Sequence, residues 1–306
     1  MVLLLMLKFH PIIPGPGQGR SNERKIINIG HISDYLWHSC IEVNPLHKIS
    51  QTKSSPIYYK NRAVVLLYHN FKNKECGTAI TPDRFEQHLD MLEAEGFKVV
   101  SLQEITLFLN GKGTLPPNAV SITMDDGHRS NYTVGYKSLK KRHWPGTVFV
   151  LIKNTEEAGT KNDQWLNWEQ LRIMSRNNIA IMSHSFNGHQ FIKGRYPSGD
   201  SWFTTRLPGE SQADYQERIY HDLLTARLIM QKKLDLPVES FAPPFGMYNQ
   251  DVIRAAQKAG YKYIWTTARQ AVTSASAPTE LPRVSVGRKN TTAQQLKETI
   301  IALGQR

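Results

Sequence analysis

Two adjacent carboxylates form the part of this chain best suited to chemistry. Asp125 and Asp126 directly follow an apolar, strand-like run at 119–124, and Gly127 comes next. Removing two neighbouring charges from water costs free energy, and proteins tolerate that cost mainly where a metal ion or a transferred proton compensates it. The pair therefore indicates a site that binds a metal or moves a proton.

Two histidines later in the chain offer the remaining ligands of a metal site. His184 and His189 follow a second apolar run at 179–182, and their spacing suits a loop that turns back on itself better than one helix face. One carboxylate and two neutral imidazoles form a three-ligand set that leaves a coordination position of zinc open. We predict that Asp126, His184 and His189 bind a divalent metal, zinc first, with cobalt, nickel and iron as alternatives. The competing interpretation is that the histidines are ordinary polar residues at a strand end.

A hydrolytic site also needs groups that accept and donate protons. If Asp126 binds the metal, Asp125 is free to act as general base toward the attacking water; the alternatives are that it supports Asp126 or caps a helix. His69 ends an apolar run at 63–68 and is the candidate proton donor for the leaving group, because imidazole exchanges protons near neutral pH. A lone histidine in such a place also has a purely structural interpretation.

A proline-rich turn after a later strand adds a third cluster. Consecutive prolines fix the backbone of the segment 241–246, so that the amide of Phe245 is a candidate donor to a developing oxyanion. Pro244 belongs to the same turn and is a candidate substrate contact. Trp265, near the end of another strand, is a candidate apolar wall for a small group such as a methyl. The alternatives are a rigid turn without a chemical role and a tryptophan of the core.

Strand-like and helix-like segments alternate along the chain from about residue 61, which is typical of parallel β/α units. The predicted strands lie at 63–68, 98–100, 119–124, 147–152, 179–182, 238–242, 261–266 and 283–286. The predicted helices lie at 82–95, 102–109, 132–142, 167–177, 213–234, 250–259 and 293–303. Most of the chemically promising residues come just after a strand, and in barrel-like folds the carboxyl ends of parallel strands converge on one rim. We therefore predict an α/β fold that gathers these residues at one rim.

The composition is that of a globular chain with a strongly basic surface. Its 306 residues are 40% hydrophobic and carry a net charge of +12. Such a charge favours polyanionic partners, and no nucleic-acid-binding motif accompanies the dispersed Lys and Arg residues. We therefore expect an anionic cell-wall polymer or membrane surface as a partner, no nucleic acid, and a monomer. Cys40 and Cys76 are too few for a disulfide framework.

The chain divides into an extension and a domain. Residues 1–60 have weak periodicity, and we interpret them as a partly disordered N-terminal extension whose short apolar run, 2–7, is a candidate remnant of an export signal. Residues 61–306 form the predicted domain. No segment reaches the roughly 20 apolar residues of a membrane-spanning helix.

These motifs together resemble those of the polysaccharide deacetylases, carbohydrate esterase family 4. The family's Thr-Phe-Asp-Asp-Gly motif matches 123–127, where a Met replaces the Phe. Its His-Ser/Thr motif, followed by a second His, matches the two histidines and Ser185. The resemblance covers about residues 61–290. It implies that Asp125 is the catalytic base and that the three ligands proposed above bind the metal.

Two departures point to one branch of that family. The usual third motif, Arg-x-x-Pro-Tyr, has Phe241 in place of its Arg and Phe245 in place of its Tyr, so Arg283 is the candidate to orient the base instead. The usual C-terminal Leu-x-x-His has no counterpart in 281–287, whereas His69 lies upstream. This pattern is similar to the circularly permuted branch that deacetylates poly-β-1,6-N-acetylglucosamine, a biofilm exopolysaccharide. In that branch, the resemblance implies His69 as the acid.

The resemblance also implies a fold, an activity and a location. The fold would be a distorted (β/α) barrel of about seven strands. The reaction would be a metal-dependent hydrolysis that removes N-acetyl groups from poly-β-1,6-N-acetyl-D-glucosamine and releases acetate. The alternatives are a peptidoglycan or chitin-oligomer N-deacetylase and an inactive protein that only binds cell-wall polysaccharide. The protein would be extracellular, at the cell surface or cell wall, or periplasmic in a Gram-negative organism.

Four aromatic or cyclic side chains are the expected contacts of the polymer. Trp202, in the aromatic loop 190–212, and Tyr68 join Pro244 and Trp265 in this role. The same loop also carries Phe191, Tyr196 and Phe203. We expect some of these rings to stack on sugars or to gate the groove; the alternative is a surface loop that packs on itself.

Overall fold

The structure is a computed structural model that describes residues 56–159, 163–192 and 199–306. Its strands are β1 (Arg62–Tyr68), β2 (Asn70–Phe71), β3 (Ala79–Ile80), β4 (Lys98–Val99), β5 (Ala119–Met124), β6 (Gly146–Leu151), β7 (Ile179–Ser185), β8 (Phe191–Ile192), β9 (Asp200–Ser201), β10 (Ser240–Phe241), β11 (Tyr263–Ile264), β12 (Val272–Thr273) and β13 (Val284–Ser285). Its helices are α1 (Pro82–Ala94), α2 (Leu102–Leu109), α3 (Lys137–Lys141), α4 (Ile152–Glu157), α5 (Trp168–Ser175), α6 (Gln212–Leu234), α7 (Gln250–Lys258) and α8 (Ala293–Gly304). A π-helical turn at Asn131–Tyr136 precedes α3, and a 3-10 turn spans Pro244–Gly246.

The main sheet follows the strand order β11-β10-β7-β6-β5-β1-β12, with β13 paired to β1 and β4 paired to β5. Neighbouring strands from β11 to β1 are parallel, while β12 at the edge runs antiparallel to β1. The seven-strand path curls into a half-barrel. The predicted α/β architecture, a distorted barrel of about seven strands, is confirmed.

The sheet is packed on both faces. Because successive side chains of a strand point to opposite sides, Val64 and Leu66 of β1 pack outward against the helices, while Ala63 and Val65 belong to a smaller inner cluster. Leu102 of α2 joins that inner cluster. Strands that are buried on both faces read as continuous apolar runs, which is why β1 and β5 could be located from the sequence.

Local capping signals set the starts of the helices. Thr81 caps α1 by accepting a hydrogen bond from the amide of Arg84 at 3.2 Å, and Pro82 occupies the first turn. Ser101 and Asn167 make reciprocal capping boxes at α2 and α5, and similar boxes begin α6 and α8. These helices begin at or next to the predicted residue, since a cap is encoded within a few residues.

The elements differ from the prediction in several places. β7 continues to Ser185, so His184 lies in the strand rather than after it. The predicted helix 132–142 begins as a π-helical turn, where a Cβ on Gly135 would overlap the sulfur of Met124. Strands β10, β11 and β13 are shorter than predicted, and β2, β3, β8, β9, β12 and α4 were not predicted. Elements of a few residues carry too little periodicity to be recognised.

Packing begins before the predicted domain boundary at residue 61. Tyr59 is buried, and its hydroxyl donates to the carbonyl of Ala119 at 2.9 Å. The hydroxyl of Tyr58 donates to Glu95 at 2.7 Å. The predicted extension and its export-signal remnant otherwise lie outside the described residues. Among the described helices, none combines the length and the hydrophobicity that crossing a membrane requires.

Candidate metal and catalytic centre

Asp126, His184 and His189 come together at the carboxyl ends of β5 and β7. Asp126 Oδ1 lies 3.4 Å from His184 Nε2 and 3.4 Å from His189 Nε2. One ligand atom from each residue lies within 4.8 Å of the other two. The three predicted metal ligands therefore occupy one small volume, and their binding of a metal stays a prediction.

Asp126 reaches the site from a tight turn after β5. The amide of Asp125 donates to the carbonyl of Tyr68 at 3.0 Å, which extends the pairing of β5 with β1 beyond Met124. Asp126 and Gly127 then adopt φ values of 73° and 72°. This left-handed conformation costs a non-glycine residue about 1–2 kcal/mol. The surrounding packing thus holds Asp126 in a conformation that the isolated chain disfavours.

A β-bulge carries His184 into the site. Where β6 pairs with β7, Val150 lies opposite Ser183 and Leu151 lies opposite Ser185, so His184 is the extra residue. Bulges redirect a side chain and are frequent beside active sites. The continuous apolar pattern of the strand gave no sign of this irregularity.

A backbone contact sets the orientation of the His184 ring. Its Nδ1 atom lies 2.8 Å from the carbonyl oxygen of Ala242, which can only accept a hydrogen bond. We therefore assign the proton to Nδ1, which leaves the Nε2 lone pair facing Asp126. The proline-rich turn after β10 thus contributes to the site through its backbone.

His189 lies at the open edge of the site. Its side chain is 28% exposed, against 2% for His184. Its ring packs on Phe245 with centroids 4.1 Å apart, and Phe245 stacks on Phe191 at 4.0 Å. Phe191 is itself 43% exposed. These three rings, the aromatic column, form one wall beside the candidate metal ligands.

The donor set fits a divalent cation. Asp126 Oδ1 is buried and has no hydrogen-bond partner in the described structure. An unpaired buried carboxylate oxygen is costly, and a cation held by this oxygen and the two Nε2 atoms would remove the cost. Burial raises the pKa of Asp126, but the hydrogen bond and the charge that His184 provides in its protonated state, together with the charges of His69 and His189, outweigh burial and hold the pKa below its ordinary value. Asp126 is therefore ionised, as a metal ligand must be.

Asp125 forms a buried ion pair with Arg283. Arg283 Nη1 and Nη2 donate to the two carboxylate oxygens at 2.6 and 2.8 Å. Arg283 is fully buried; its Nε donates to the carbonyl of Thr266 at 3.2 Å, and its guanidinium lies 4.9 Å from the ring centroid of Phe149. Burial raises the pKa of Asp125, but Arg283 and then His184 outweigh it and hold the pKa below its ordinary value. Arg283 thus makes the contact expected of a residue that orients the base.

His69 directly follows β1 and lies among the charged groups of the site. Its ring interacts electrostatically with Asp125, Asp126 and His184. Burial lowers its pKa, and the two carboxylates only partly oppose that effect. Its Nδ1 atom is buried without a hydrogen-bond partner among the described groups, while its carbonyl accepts a hydrogen bond from Asn131 Nδ2 in the π-helical turn. The ring therefore has one nitrogen that is not bound to any described group.

Phe245 occupies a strained turn next to His189. Phe245 and Gly246 have φ values of 60° and 68°, and the amide of Gly246 donates to the carbonyl of Pro243 at 3.0 Å. The two left-handed residues place the Phe245 ring in the aromatic column. The predicted role of the Phe245 amide as an oxyanion donor stays a prediction.

Three of the expected polymer contacts are buried side chains. Tyr68 is fully buried, and its hydroxyl lies 3.1 Å from His88 Nδ1. Trp265 is also fully buried and donates from Nε1 to Ser240 Oγ at 3.1 Å. Pro244 is buried within its turn. The burial of Tyr68 and Trp265 corrects the expectation of direct contact for these two residues, because a side chain without exposed surface cannot touch a polymer. A substrate contact by Pro244 stays a prediction.

Among the described aromatic residues of the loop 190–212, only Phe191 lies beside the candidate metal ligands. Trp202 is half-buried, and its ring lies 4.2 Å from the guanidinium carbon of Arg218. Phe203 is fully buried. Phe191 is the member of this loop that joins the aromatic column, and Tyr196 lies outside the described residues.

Asp222 of α6 is a further residue of the centre that the sequence did not reveal. It accepts hydrogen bonds from the amides of Phe186 and Asn187, between the two histidines. The one available signal was its position three residues after Ile219, on the apolar face of α6. An acidic residue on the apolar face of a helix is expected to be buried and therefore to have a hydrogen-bond or ion-pair partner.

Comparison with known proteins supports one family. The family model described as polysaccharide deacetylase matches residues 112–264, half of the chain. A poly-beta-1,6-N-acetyl-D-glucosamine N-deacetylase of Escherichia coli (strain K12) is 23% identical over 264 residues, which are 79% of this chain and 39% of that protein. A protein of the same name from Staphylococcus aureus (strain MRSA252) is 26% identical over 245 residues, 75% of this chain and 80% of that protein. The chain thus spans about two fifths of the length of the E. coli relative.

Solved structures share the fold. The de-N-acetylase from Aggregatibacter actinomycetemcomitans matches with a TM-score of 0.70 at 22% identity, over 78% of this chain and 99% of that one. IcaB from Ammonifex degensii matches with a TM-score of 0.66 at 24% identity, over 81% and 99%. At these identities the likeness supports the half-barrel architecture, while the family model supplies the membership. The chain belongs to the polysaccharide deacetylase family, a family of hydrolases that act on carbon–nitrogen amide bonds.

Proposed function

We propose that this protein is a metal-dependent enzyme that removes N-acetyl groups from poly-β-1,6-N-acetyl-D-glucosamine and releases acetate. One observation carries the proposal: Asp125 is bound on both oxygens by Arg283, while the adjacent Asp126 faces two imidazoles with an unpaired oxygen. Two carboxylates whose surroundings differ in this way suit different roles. Asp125 is the base, and Asp126 is a ligand.

Asp126, His184 and His189 would hold the metal, with zinc as first choice and cobalt, nickel and iron as alternatives. When bound, the ion supplies Lewis-acid polarisation of the acetyl carbonyl and favours deprotonation of the attacking water. The chain's own contribution is to orient the ligands. The Ala242 carbonyl does so for His184, and the Phe245 ring does so for His189.

Asp125 accepts the proton of the attacking water. Arg283 and the neighbouring imidazoles keep its pKa below the ordinary value, so the carboxylate is ionised at neutral pH and ready to accept. Each carboxylate oxygen has two lone pairs. An oxygen that accepts from Arg283 therefore keeps one lone pair for the water proton.

His69 supplies the proton that the leaving amine needs. As the carbon–nitrogen bond breaks, the nitrogen takes a proton from the imidazolium, and the acyl carbon leaves as acetate with the oxygen of the water. Because burial lowers the pKa of His69, its protonated form is a stronger acid than a free imidazolium. The amide of Phe245 is the proposed donor to the oxyanion of the tetrahedral intermediate.

The choice of polymer is supported by the names of the E. coli and S. aureus relatives. The test is acetate release from β-1,6-linked and β-1,4-linked oligomers of N-acetylglucosamine at equal concentration. Faster release from the β-1,6 oligomer supports the proposal. Release from the β-1,4 oligomer alone would replace it with the peptidoglycan or chitin alternative.

One variant distinguishes the proposed enzyme from a protein that binds polysaccharide but has no activity. Asp125→Asn should lower acetate release by about 10³-fold and leave polymer binding in place. If the unmodified protein binds the polymer but releases no acetate with any of the four metals, the binding alternative holds instead.

We also propose that the basic surface attaches the protein to an anionic wall polymer or membrane surface, outside the cell or in the periplasm. A cavity of about 550 Å³ at the amino end of β1 is lined by Arg62 and Arg269. Arg62 Nε is buried there without a hydrogen-bond partner in the described structure. β1 has seven residues and is about 20 Å long, and no candidate metal ligand lines the cavity at its amino end. An anion bound at one end would leave the other end free for substrate.

Salt tests this attachment, because counterions screen exposed charges within about 10 Å at 0.1 M. Binding to isolated wall polymer or to anionic vesicles should weaken as salt rises, and R62Q combined with R269Q should weaken it further. Binding that ignores both salt and the double substitution would refute the attachment. Light scattering in the same buffers checks the expected monomer.

A further inference from the structure

Asp222 is a buried carboxylate that the proposed chemistry does not use. It lies in the middle of α6 and is 8% exposed. Its Oδ1 accepts a hydrogen bond from the amide of Phe186 at 2.9 Å, and its Oδ2 accepts one from the amide of Asn187 at 2.8 Å. Both amides belong to the turn that joins His184 of β7 to His189.

The rest of this turn is also held by specific contacts. Ser185 has a φ of 151°, and its Oγ accepts from the amide of Gly188 at 3.0 Å. The amide of Lys153 donates to the carbonyl of Phe186 at 2.9 Å. A Cβ on Gly188 would overlap the buried ring of Phe203. Contacts with Ser185, Lys153 and Phe203 therefore hold the rest of the turn, and Asp222 binds its two central amides.

We propose that Asp222 is a positioning residue that sets the separation and direction of His184 and His189 for metal binding. The inference rests on the proposed metal-dependent function. Two successive backbone amides need two acceptors, and an ionised carboxylate offers one oxygen to each. Without it, both amides would be left unpaired near the core, which costs free energy, and the turn would relax toward other partners.

The charge of Asp222 suits this role at neutral pH. Burial raises its pKa to about 6, and the amides of Asn187 and Phe186 act in the opposite direction. Above that value the group is mostly ionised and accepts both hydrogen bonds. No further ion pair is needed for the geometry to hold, since two amide dipoles face the carboxylate.

The test compares zinc binding by the unmodified protein and by D222N. The Asn side chain has nearly the same shape but turns one acceptor into a donor, which then faces an amide. We expect the dissociation constant for zinc, measured by competition with a chelating dye at pH 7.5, to rise about 10- to 100-fold, the range for lost partners of metal-binding side chains. The melting temperature of the metal-free protein is recorded in parallel.

A matched control separates positioning from general destabilisation. Leu223 is the next residue of α6 and is fully buried, but it is not a partner of the turn amides. L223A should lower the melting temperature at least as much as D222N while it leaves zinc affinity within about threefold of the unmodified protein. If L223A and D222N lose zinc affinity equally, Asp222 has no specific role and the inference is overturned.

The remaining outcomes are equally decisive. Unchanged zinc affinity in D222N, with normal binding by the unmodified protein, overturns this inference alone. Failure of the unmodified protein to bind zinc, cobalt, nickel or iron overturns the proposed metal centre and the inference with it. Should D222N not fold, D222S, whose shorter side chain carries one oxygen instead of two, takes its place with the same expected loss.

Discussion

The interior of the half-barrel and its rim treat two neighbouring carboxylates in opposite ways. Asp125 faces the interior, where its side chain is 4% exposed and Arg283 binds both of its oxygens. Asp126 faces the rim, where its side chain is 24% exposed and Oδ1 is left without a partner. In Asp125 both carboxylate oxygens accept hydrogen bonds from Arg283. In the next residue, Asp126, one buried carboxylate oxygen has no hydrogen-bond partner in the described structure.

The comparison shows how a fold assigns roles to identical side chains. A carboxylate with a fixed cationic partner stays ionised and oriented, which suits a base. A carboxylate with an unpaired oxygen between two imidazoles is suited to bind a metal ion, because a cation stabilises a buried negative charge most where the protein provides no other partner. The positive φ of Asp126 marks the residue at which the chain leaves the regular strand, immediately after Asp125.

The sharpest way to break this comparison is to replace each carboxylate with its amide. We expect Asp125→Asn to lower kcat/KM by about 10³-fold, within the range for loss of a general base, with zinc content unchanged. Asp126→Asn should lose zinc itself. Acetate release and metal analysis by mass spectrometry measure the two effects. Asp163→Asn is the control, because that carboxylate is 81% exposed. Equal zinc loss in both site variants would erase the distinction.

His69 tests whether the interior also supplies the proton for the leaving group. We expect His69→Gln to lower kcat by about 10²-fold and to leave zinc content unchanged. The protonated form is the active one, so activity falls as pH rises through the pKa of His69, which burial places below its ordinary 6.5. The variant should lack this alkaline limb. His221→Gln, at a side chain 68% exposed, is the control; a variant that keeps the limb would point to another acid.

Arg283 tests the fixed partner of the base. Arg283→Lys keeps the charge but loses the bidentate geometry, and we expect about a tenfold loss of activity at neutral pH together with about 1–3 kcal/mol of stability. The pKa of Asp125 is lowered in the folded protein, so its contribution to stability is present above the unfolded value of 3.8 and is lost as pH falls through the lower, folded value.

In Arg283→Lys the pKa of Asp125 should be lowered less, so acid unfolding and the acidic limb of the rate profile should both begin at higher pH. Urea unfolding and acetate release between pH 3 and pH 7 follow the two limbs. Arg254→Lys, on an exposed pair with Asp251, is the control. If acid unfolding and the acidic limb of the rate profile of Arg283→Lys coincide with those of the unmodified protein, Arg283 does not set the pKa of Asp125.

A substitution at Phe191 tests whether the exposed part of the rim contacts the polymer, and it has the smallest expected effect on activity. Phe191→Ala removes the exposed end of the aromatic column, and we expect about a threefold rise in KM with kcat unchanged, since an aromatic contact contributes about 0.5–1.5 kcal/mol. Initial rates on long β-1,6 oligomers measure it. Leu107→Ala is the control, because Leu107 is a similarly exposed apolar side chain on α2. A fall in kcat would instead indicate that the column orients His189.

Much of the fold could be read from the chain because its signals are local. The apolar runs of β1 and β5 and the caps at Thr81 and Ser101 are each complete within a few residues. Strands β2, β3, β8, β9 and β12 were not predicted, because strands of two residues carry too little periodicity to be recognised. For Trp265 the sequence left both a substrate wall and a core tryptophan open, and for Tyr68 it favoured a polymer contact. Tertiary structure decided for the core in both cases, because a strand-end residue faces substrate or core according to which strands lie beside it.

The sequence by itself determined the order of strands and helices, the polar residues that end the strands, and the composition of a carboxylate–imidazole site, since periodicity, caps and motifs are short-range properties. Only the tertiary structure decided that Arg283 meets Asp125, that a bulge turns His184 toward Asp126, and that Asp222 holds the turn between the histidines. Those contacts join side chains and amides from separate strands and helices. Their geometry is set when the sheet curls and buries both of its faces, and no short stretch of sequence contains that information.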